Sequence, residues 1–291
     1  MRAVLLVLLA IAACTGAGPR VDDEAASPPA SAHWAGTDVC VACHEAQATS
    51  YAKTIHAHVL GENRPEWERG CEACHGPGGA HAEAGGGKGV GGLRVFAPDE
   101  PAGGKSAACL RCHAANVSRH DFLRGEHALS GVACTDCHEG HGGVGEAMLA
   151  RDVPELCFRC HEDVRASFTL PERHGPGAAP PACLDCHEPH GTPNLRSLRE
   201  ANDRRCLECH NDVAGPFVFE HAGVVSEGCT GCHEPHGSTN RHLLARQPVA
   251  LLCYQCHTVT PPSHVQPTYR DCTRCHVSIH GSNTDSHLLA P

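Results

Sequence analysis

The chain has 291 residues, of which 31 are glycine, 21 are proline and only 4% are aromatic. This composition excludes an ordinary large core of apolar side chains. The formal net charge of −10 disfavours nucleic acid as a partner and favours proteins that present basic docking patches.

The N-terminus predicts an exported lipoprotein. An apolar run over residues 3–13 is shorter than the roughly 20 residues that cross a bilayer, so residues 1–13 are predicted to be a signal peptide. The run ends in Ile11-Ala12-Ala13-Cys14, which is similar to a bacterial lipobox and predicts lipidation of Cys14. The alternative is an ordinary signal peptide that is cleaved near Ala17. Residues 14–33 are expected to form a lipidated tether.

Ten copies of Cys-x-x-Cys-His follow, and they use twenty of the 21 cysteines. Two thiols at this spacing can form thioether bonds to the vinyl groups of one porphyrin, and the next histidine can bind its iron. Structural zinc knuckles and a disulfide framework are alternatives, but neither explains a histidine after every cysteine pair. The sequence therefore predicts ten covalent c-type haems.

The predicted attachment cysteines are Cys40, Cys43, Cys71, Cys74, Cys109, Cys112, Cys134, Cys137, Cys157, Cys160, Cys183, Cys186, Cys206, Cys209, Cys229, Cys232, Cys253, Cys256, Cys272 and Cys275. The predicted proximal iron ligands are His44, His75, His113, His138, His161, His187, His210, His233, His257 and His276.

A longer repeat predicts the second axial ligand of each iron. The segments that begin at Cys134, Cys183 and Cys229 share a CxxCHExHG pattern, and each is followed 23 or 24 positions later by a plainer motif. The chain has two methionines, too few for ten irons, so bis-histidine ligation is expected. The histidines singled out as distal ligands are His56, His81, His127, His141, His174, His190, His221, His236, His264 and His280.

Five further histidines lie outside the repeat pattern. His33 or His58 could replace a member of the distal set, whereas His120, His242 and His287 are expected to face solvent. The spacing alone does not assign a distal histidine to a particular haem.

The expected fold is mostly coil with short α-helices wrapped around ten covalently bound haems, elongated along the repeat and with negligible β structure. Helices are predicted around the motifs, for instance from Glu146 to His161, where Pro154 requires a late start or a kink, and from Leu195 to His210. Because the porphyrins supply the apolar surface that the side chains lack, the chain without haem is expected to be largely unstructured.

The number of motifs and the pattern H-x(6-8)-CxxCHExHG…CxxCH resemble the doubled-CxxCH multihaem c-type cytochromes, most closely the decahaem DmsE/MtrA family, from Trp34 to Pro291. The resemblance implies an electron conduit on the periplasmic side, built from haems 1–5 in residues 34–165 and haems 6–10 in residues 166–291. It also implies partnership with an outer-membrane porin and a surface multihaem cytochrome. Lipidation would place the protein at the periplasmic face of the outer membrane or on the cell surface.

The favoured function is electron transport between redox proteins, without catalysis of a substrate reaction. The alternative is a multihaem reductase of a small substrate such as nitrite, hydroxylamine or a sulfur oxyanion. A reductase needs an iron with an open coordination position. Some such enzymes mark this iron with CxxCK, which does not occur here, and the chain has enough histidines to fill every position.

Overall fold

The structure is a computed structural model that describes residues 32–115, 121–174, 181–201, 203–258, 261, 264 and 271–291. The predicted signal peptide, the predicted lipidation site Cys14, most of the tether and His120 lie outside the described residues.

The described residues form short helices separated by coil. The α-helices are α1 (Thr37–Val41), α2 (Glu45–Tyr51), α3 (Ile55–Val59), α4 (Glu72–His75), α5 (Gly79–Glu83), α6 (Ala102–His113), α7 (Glu126–Leu129), α8 (Cys134–Cys137), α9 (Glu162–Ser167), α10 (Cys183–Cys186), α11 (Arg204–Leu207), α12 (Ala222–Glu227) and α13 (Ala250–Cys253). Turns of 3₁₀ helix occupy Glu66–Glu68, Val90–Gly92, Phe122–Arg124, Cys157–Arg159, Leu195–Ser197, Asn211–Val213, Cys229–Gly231, Arg241–Leu243 and Cys272–Arg274.

Among the described residues, strand structure is limited to two residues in each of two segments. Strands β1 (Phe219–Glu220) and β2 (Gly281–Ser282) pair antiparallel, with Phe219 opposite Ser282. The predicted combination of coil, short helices and little strand is confirmed in the described residues. None of the helices described is long and apolar enough to cross a membrane.

The two longer helices predicted from the sequence are wrong. Residues 146–161 contain only the 3₁₀ turn at Cys157–Arg159, and residues 195–210 contain the turn at Leu195–Ser197 and the short helix α11. Met148 and Ser197 each have a φ of 50°, in the left-handed region that a right-handed helix excludes. At both positions the carbonyl accepts an N–H bond of 2.8 Å from a residue after the preceding motif, so the chain turns back instead of continuing as a helix.

Each Cys-x-x-Cys-His motif closes a single helical turn. In nine motifs the histidine N–H donates to the carbonyl of the first cysteine over 2.8–3.1 Å, and the remaining motif, Cys109 to His113, lies inside helix α6. One turn brings residues three and four positions apart to the same side of the chain. The motif therefore presents its two thiols and its imidazole together, as attachment of one group to all three requires.

The CxxCHExHG segments repeat as structures as well as sequences. The motif histidines His138, His187 and His233 each form an antiparallel bridge to a leucine eleven positions later. The second cysteine of each motif accepts a backbone bond of 2.8 or 2.9 Å from the residue after that leucine: Ala150, Arg199 or Ala245. The three units can therefore be compared position by position.

The polypeptide itself has a very small core. The buried hydrophobic residues among those described are Ala108, Phe122, Ala133, Ala250, Leu252 and Leu288. Most of these side chains are small or are isolated from one another in sequence, so they do not make a continuous apolar interior. The fold therefore needs another source of apolar surface.

One buried carboxylate fixes the start of the described chain. Glu72, inside the second motif, is 4% exposed and accepts backbone N–H bonds from Ala35, Gly36 and Gly78 at 2.7–2.9 Å. Three donors satisfy a group whose burial would otherwise be costly. These bonds hold the segment before the first motif against the second motif.

Candidate haem sites

Every motif histidine lies beside one histidine from elsewhere in the chain, with ring centroids 5.9–6.4 Å apart. The pairs are His44 with His81, His75 with His141, His113 with His56, His138 with His190, His161 with His127, His187 with His236, His210 with His174, His233 with His280, His257 with His221 and His276 with His264. The structure thus brings each of the ten predicted distal histidines to a different motif.

The centroid separation distinguishes an iron porphyrin from a tetrahedral zinc site. With a metal–nitrogen bond of about 2.0 Å and a nitrogen about 1.1 Å from the ring centroid, imidazoles on opposite sides of one ion have centroids about 6.2 Å apart, against about 5.1 Å at a tetrahedral ion. The observed separations of 5.9–6.4 Å fit opposite, axial positions. Two axial imidazoles leave the four equatorial positions for a porphyrin, and two adjacent thiols can anchor it, so the donor set fits haem c.

The pairing joins distant parts of the chain. His75 of the second motif pairs with His141, which follows the fourth motif, and His138 of the fourth motif pairs with His190, which follows the sixth. The motif histidines of the next two CxxCHExHG units, His187 and His233, also pair with a histidine of the following unit, His236 and His280 respectively. The second histidine of each of these pairs therefore comes from the next unit of the repeat.

Four of the histidines outside the repeat pattern are described, and each contacts other groups through its side chain or its backbone. His33 lies 3.4 Å from the Glu83 carboxylate, and the His58 ring bonds to the Thr54 carbonyl. His242 and His287 contribute backbone carbonyls that accept from motif histidines at 2.8 and 2.6 Å. The geometry does not substitute His33 or His58 for a member of the predicted distal set.

Five motif histidines have their Nδ1 atoms fixed by backbone carbonyls. These bonds run from His75 to Arg94, His138 to Ala147, His187 to Arg196, His233 to His242 and His276 to His287, at 2.6–2.9 Å. A hydrogen bond at Nδ1 directs Nε2 to the metal and makes the imidazole a stronger donor. These bonds occur in the second, fourth, sixth, eighth and tenth motifs.

Two of the partner histidines are also held by hydrogen bonds from Nδ1 to backbone carbonyls. The Nδ1 atoms of His127 and His174 bond to the carbonyls of Pro189 and Pro235 at 2.9 and 2.5 Å. Burial lowers the pKa of five members of the partner set, namely His56, His141, His221, His236 and His280. A lowered pKa keeps the imidazole neutral at neutral pH, which is the form that binds a metal.

Consecutive motifs meet through their cysteines. The first cysteines of motifs 1 and 2, 3 and 4, 5 and 6, 7 and 8, and 9 and 10 form side-chain contacts. The second cysteines interact through their charges between motifs 2 and 3, 4 and 5, and 8 and 9, as Cys186 does with Cys206 between motifs 6 and 7. Hydrogen bonds between thiols therefore join five of the nine junctions and charge interactions couple the other four, so successive motifs neighbour one another in the order of the sequence.

These thiol contacts shift the titration of the cysteines in the unmodified polypeptide. Burial, followed by the charge of the neighbouring Cys71, raises the pKa of Cys40 to about 11. A hydrogen bond between the thiols lowers the pKa of Cys134 to about 6 and raises that of Cys109. Two thiols this close cannot readily ionise together, which is consistent with groups that are covalently capped in the mature protein.

A cavity of about 2860 Å³ runs beside these motifs. Its walls include cysteines of motifs 2 to 7 and the histidine pairs of motifs 3, 4, 5, 6 and 7. A pocket for one small molecule or cofactor is about 300–1,000 Å³. The cavity therefore has room for several groups side by side.

The carbonyl acceptors of the motif histidines carry no signal in the sequence that side-chain type could provide. Every residue type has a backbone carbonyl, so Arg94, Ala147, Arg196, His242 and His287 carry no common side-chain signature. For Ala147, Arg196 and His242 the available signal was the leucine eleven positions after the motif histidine, because this leucine marks the point at which the chain returns.

Comparison with known proteins agrees with this site. The profile of the family described as "Doubled CXXCH motif" matches residues 126–166, 174–215 and 221–261. The Multiheme cytochrome MtrA of Shewanella baltica (strain OS185) is 30% identical over 277 residues, which cover 87% of this chain and 80% of that protein. The Cytochrome c-type protein NrfB of Escherichia coli O6:H1 is 28% identical over 131 residues, or 44% of this chain and 66% of that protein.

The chain belongs to the multihaem c-type cytochromes with doubled CXXCH motifs. Its similarity to MtrA extends well beyond the three segments that the family profile matches.

Proposed function

We propose that this protein carries ten haems and transfers electrons along its length between other redox proteins. Each haem would be attached to the two cysteines of one motif, with the motif histidine and its paired histidine as axial ligands. The observation that carries the proposal is the set of ten imidazole pairs, each 5.9–6.4 Å apart and each containing one motif histidine. A bound haem supplies a one-electron redox centre whose potential two histidine ligands keep low.

The residues of the chain support transfer in a defined order. Because thiols of successive motifs are hydrogen-bonded at five junctions and interact through their charges at the other four, we expect neighbouring attachment sites to place porphyrin edges near one another. The carbonyl and imidazole hydrogen bonds hold the axial rings in place, which limits reorganisation when a site changes oxidation state. The chain thus provides a fixed path from its first to its tenth motif.

Purified protein should contain ten haems per chain that remain bound after denaturation, and every ferric iron should be low-spin. A pyridine haemochrome assay against a protein determination measures the count, and electron paramagnetic resonance with carbon monoxide titration measures the open sites. A count well below ten would contradict the proposal. One high-spin iron that binds carbon monoxide would instead favour the alternative, a reductase of nitrite, hydroxylamine or a sulfur oxyanion.

We place the mature protein at the outer membrane, attached through lipid on Cys14, either on the periplasmic face or at the cell surface. The proposed partners are redox donors and acceptors, with an outer-membrane porin and a surface multihaem cytochrome as candidates. The Ile11-Ala12-Ala13-Cys14 sequence supports the lipid anchor, and the MtrA similarity supports partnership with other redox proteins.

Cys14→Ser should move the protein from the membrane fraction to the soluble periplasmic fraction, because a serine cannot accept the thioether-linked lipid. Fractionation followed by haem staining of the gel measures the distribution. The haem count should not change, because Cys14 lies outside all ten motifs. Retention of the variant in the membrane fraction at the wild-type level, with its signal peptide shown by mass spectrometry to be removed, would exclude the lipid as its anchor.

A further inference from the structure

A carboxylate is hydrogen-bonded to the paired histidine of one CxxCHExHG unit. The Nδ1 atom of His190 lies 3.1 Å from Oε1 of Glu188, which also accepts from the His190 backbone N–H at 3.4 Å. His190 pairs with His138 of the fourth motif at a centroid distance of 6.0 Å, with the two rings 11° from parallel. On the opposite side, His138 donates its own Nδ1–H to the Ala147 carbonyl at 2.8 Å.

Arg199 holds the Glu188 side chain in position. Its guanidinium lies 3.3 Å from Oε2 of Glu188, and its Nε donates to the Leu184 carbonyl at 2.7 Å. Its backbone N–H is also bonded, to the Cys186 carbonyl at 2.9 Å. Because Arg199 occupies one carboxylate oxygen, the other is directed to His190, and the Glu188 side chain is only 19% exposed.

The equivalent units provide a natural comparison. Glu139 and Glu234 stand at the position of Glu188, two residues before His141 and His236, but alanine replaces Arg199 in both units, at Ala150 and Ala245. Among the described residues Glu234 influences His236 through its charge, and no hydrogen bond joins the Glu234 carboxylate to the ring. The arginine and the bonded carboxylate therefore occur together in one unit of three.

We propose that Glu188 lowers the reduction potential of the iron held by His138 and His190. The inference rests on the proposed ligation of that iron and adds a positioning residue that acts through His190. A carboxylate that accepts from Nδ1–H gives the ring imidazolate character, and a more basic ligand favours ferric over ferrous iron. The nearby negative charge acts in the same direction.

Glu188→Gln tests the role of the carboxylate in the haem-loaded protein. Glutamine has the same shape and can still accept from Nδ1–H, so ligation and folding should be retained while the charge is lost. We expect the reduction equilibrium constant of one centre to rise about tenfold, which is ~59 mV for a one-electron couple. Stepwise reduction followed by nuclear magnetic resonance of the haem methyl groups resolves individual centres.

Glu234→Gln is the matched control, because its carboxylate has the same sequence position without the arginine. We expect its centre, at His187 and His236, to shift by much less than the centre altered by Glu188→Gln. In an Arg199→Ala background, Glu188→Gln should also produce only the smaller shift, since the carboxylate is no longer held. The coupling in this double-mutant cycle measures the contribution of Arg199.

The proposal is overturned if Glu188→Gln shifts no centre, or if Glu234→Gln shifts its own centre equally. Failure of the underlying ligation has a different signature. If His190 is not a ligand, all ten irons of the His190→Ala variant stay low-spin. If His190 is a ligand and only the role of Glu188 is wrong, the His190→Ala variant has one high-spin iron.

Discussion

The polypeptide made without haem will show no cooperative unfolding transition. Its described residues contain six buried hydrophobic side chains, three of them alanine, and the 2860 Å³ cavity beside the motifs would be filled by water. Ordering each residue costs about 1–2 kcal/mol of conformational free energy, which so little side-chain burial cannot offset. We expect a disordered far-ultraviolet circular dichroism spectrum and a nearly linear response to heating.

The control for this experiment is the same polypeptide produced with its haems attached. That form should melt cooperatively and resist protease, because covalent groups fill the interior and the paired histidines join distant segments. Apo-protein can be produced without the signal sequence, so that the chain stays in the cytoplasm where haem is not attached. A sigmoidal melting curve for this material would show that the side chains alone specify the fold.

Replacement of one partner histidine is expected to open one coordination position at one of the ten proposed irons. In His236→Ala the iron held by His187 loses its second axial imidazole, because the two rings are 6.1 Å apart and His236 is half-buried at that position. We expect one high-spin ferric signal and the binding of one carbon monoxide per chain on reduction. The haem count should stay at ten, since both cysteines of the motif are intact.

His287→Ala is the matched control for this experiment. The His287 side chain is 80% exposed, and its contribution to the site is the backbone carbonyl that accepts from His276, which alanine retains. The variant should bind no carbon monoxide and should keep the wild-type spectrum. Carbon monoxide binding by His287→Ala, or none by His236→Ala, would contradict the proposed axial ligands.

The local chemistry of this protein is readable from its sequence because attachment depends on spacing within one helical turn. Two thiols and an imidazole must reach the same group, so the motif itself encodes the requirement. The repeat then selected ten further histidines, and each of them lies beside a motif histidine in the structure. Short-range spacing and internal repetition were sufficient to select these residues.

The partner of each motif could not be predicted, because pairing depends on how units stack. His141 lies three positions after His138 yet pairs with His75, and His138 pairs with His190 in the next unit. The two longer helices were wrong for a related reason. Residues such as Met148 turn the chain back, so that a backbone carbonyl can accept a hydrogen bond from a motif histidine. This tertiary contact overrides the local preference for a helix.

The pairing has a consequence for dividing this protein into fragments. Successive pairs overlap along the chain, from His44–His81 through His75–His141, His138–His190 and His187–His236 to His233–His280. Scission anywhere between residues 44 and 280 separates at least one pair. A cut after residue 165 separates only His138 from His190. Fragment 1–165 would then lack the second histidine of this one pair, and fragment 166–291 would carry His190 without its partner. Mixing the two fragments would restore the His138–His190 pair by complementation in trans.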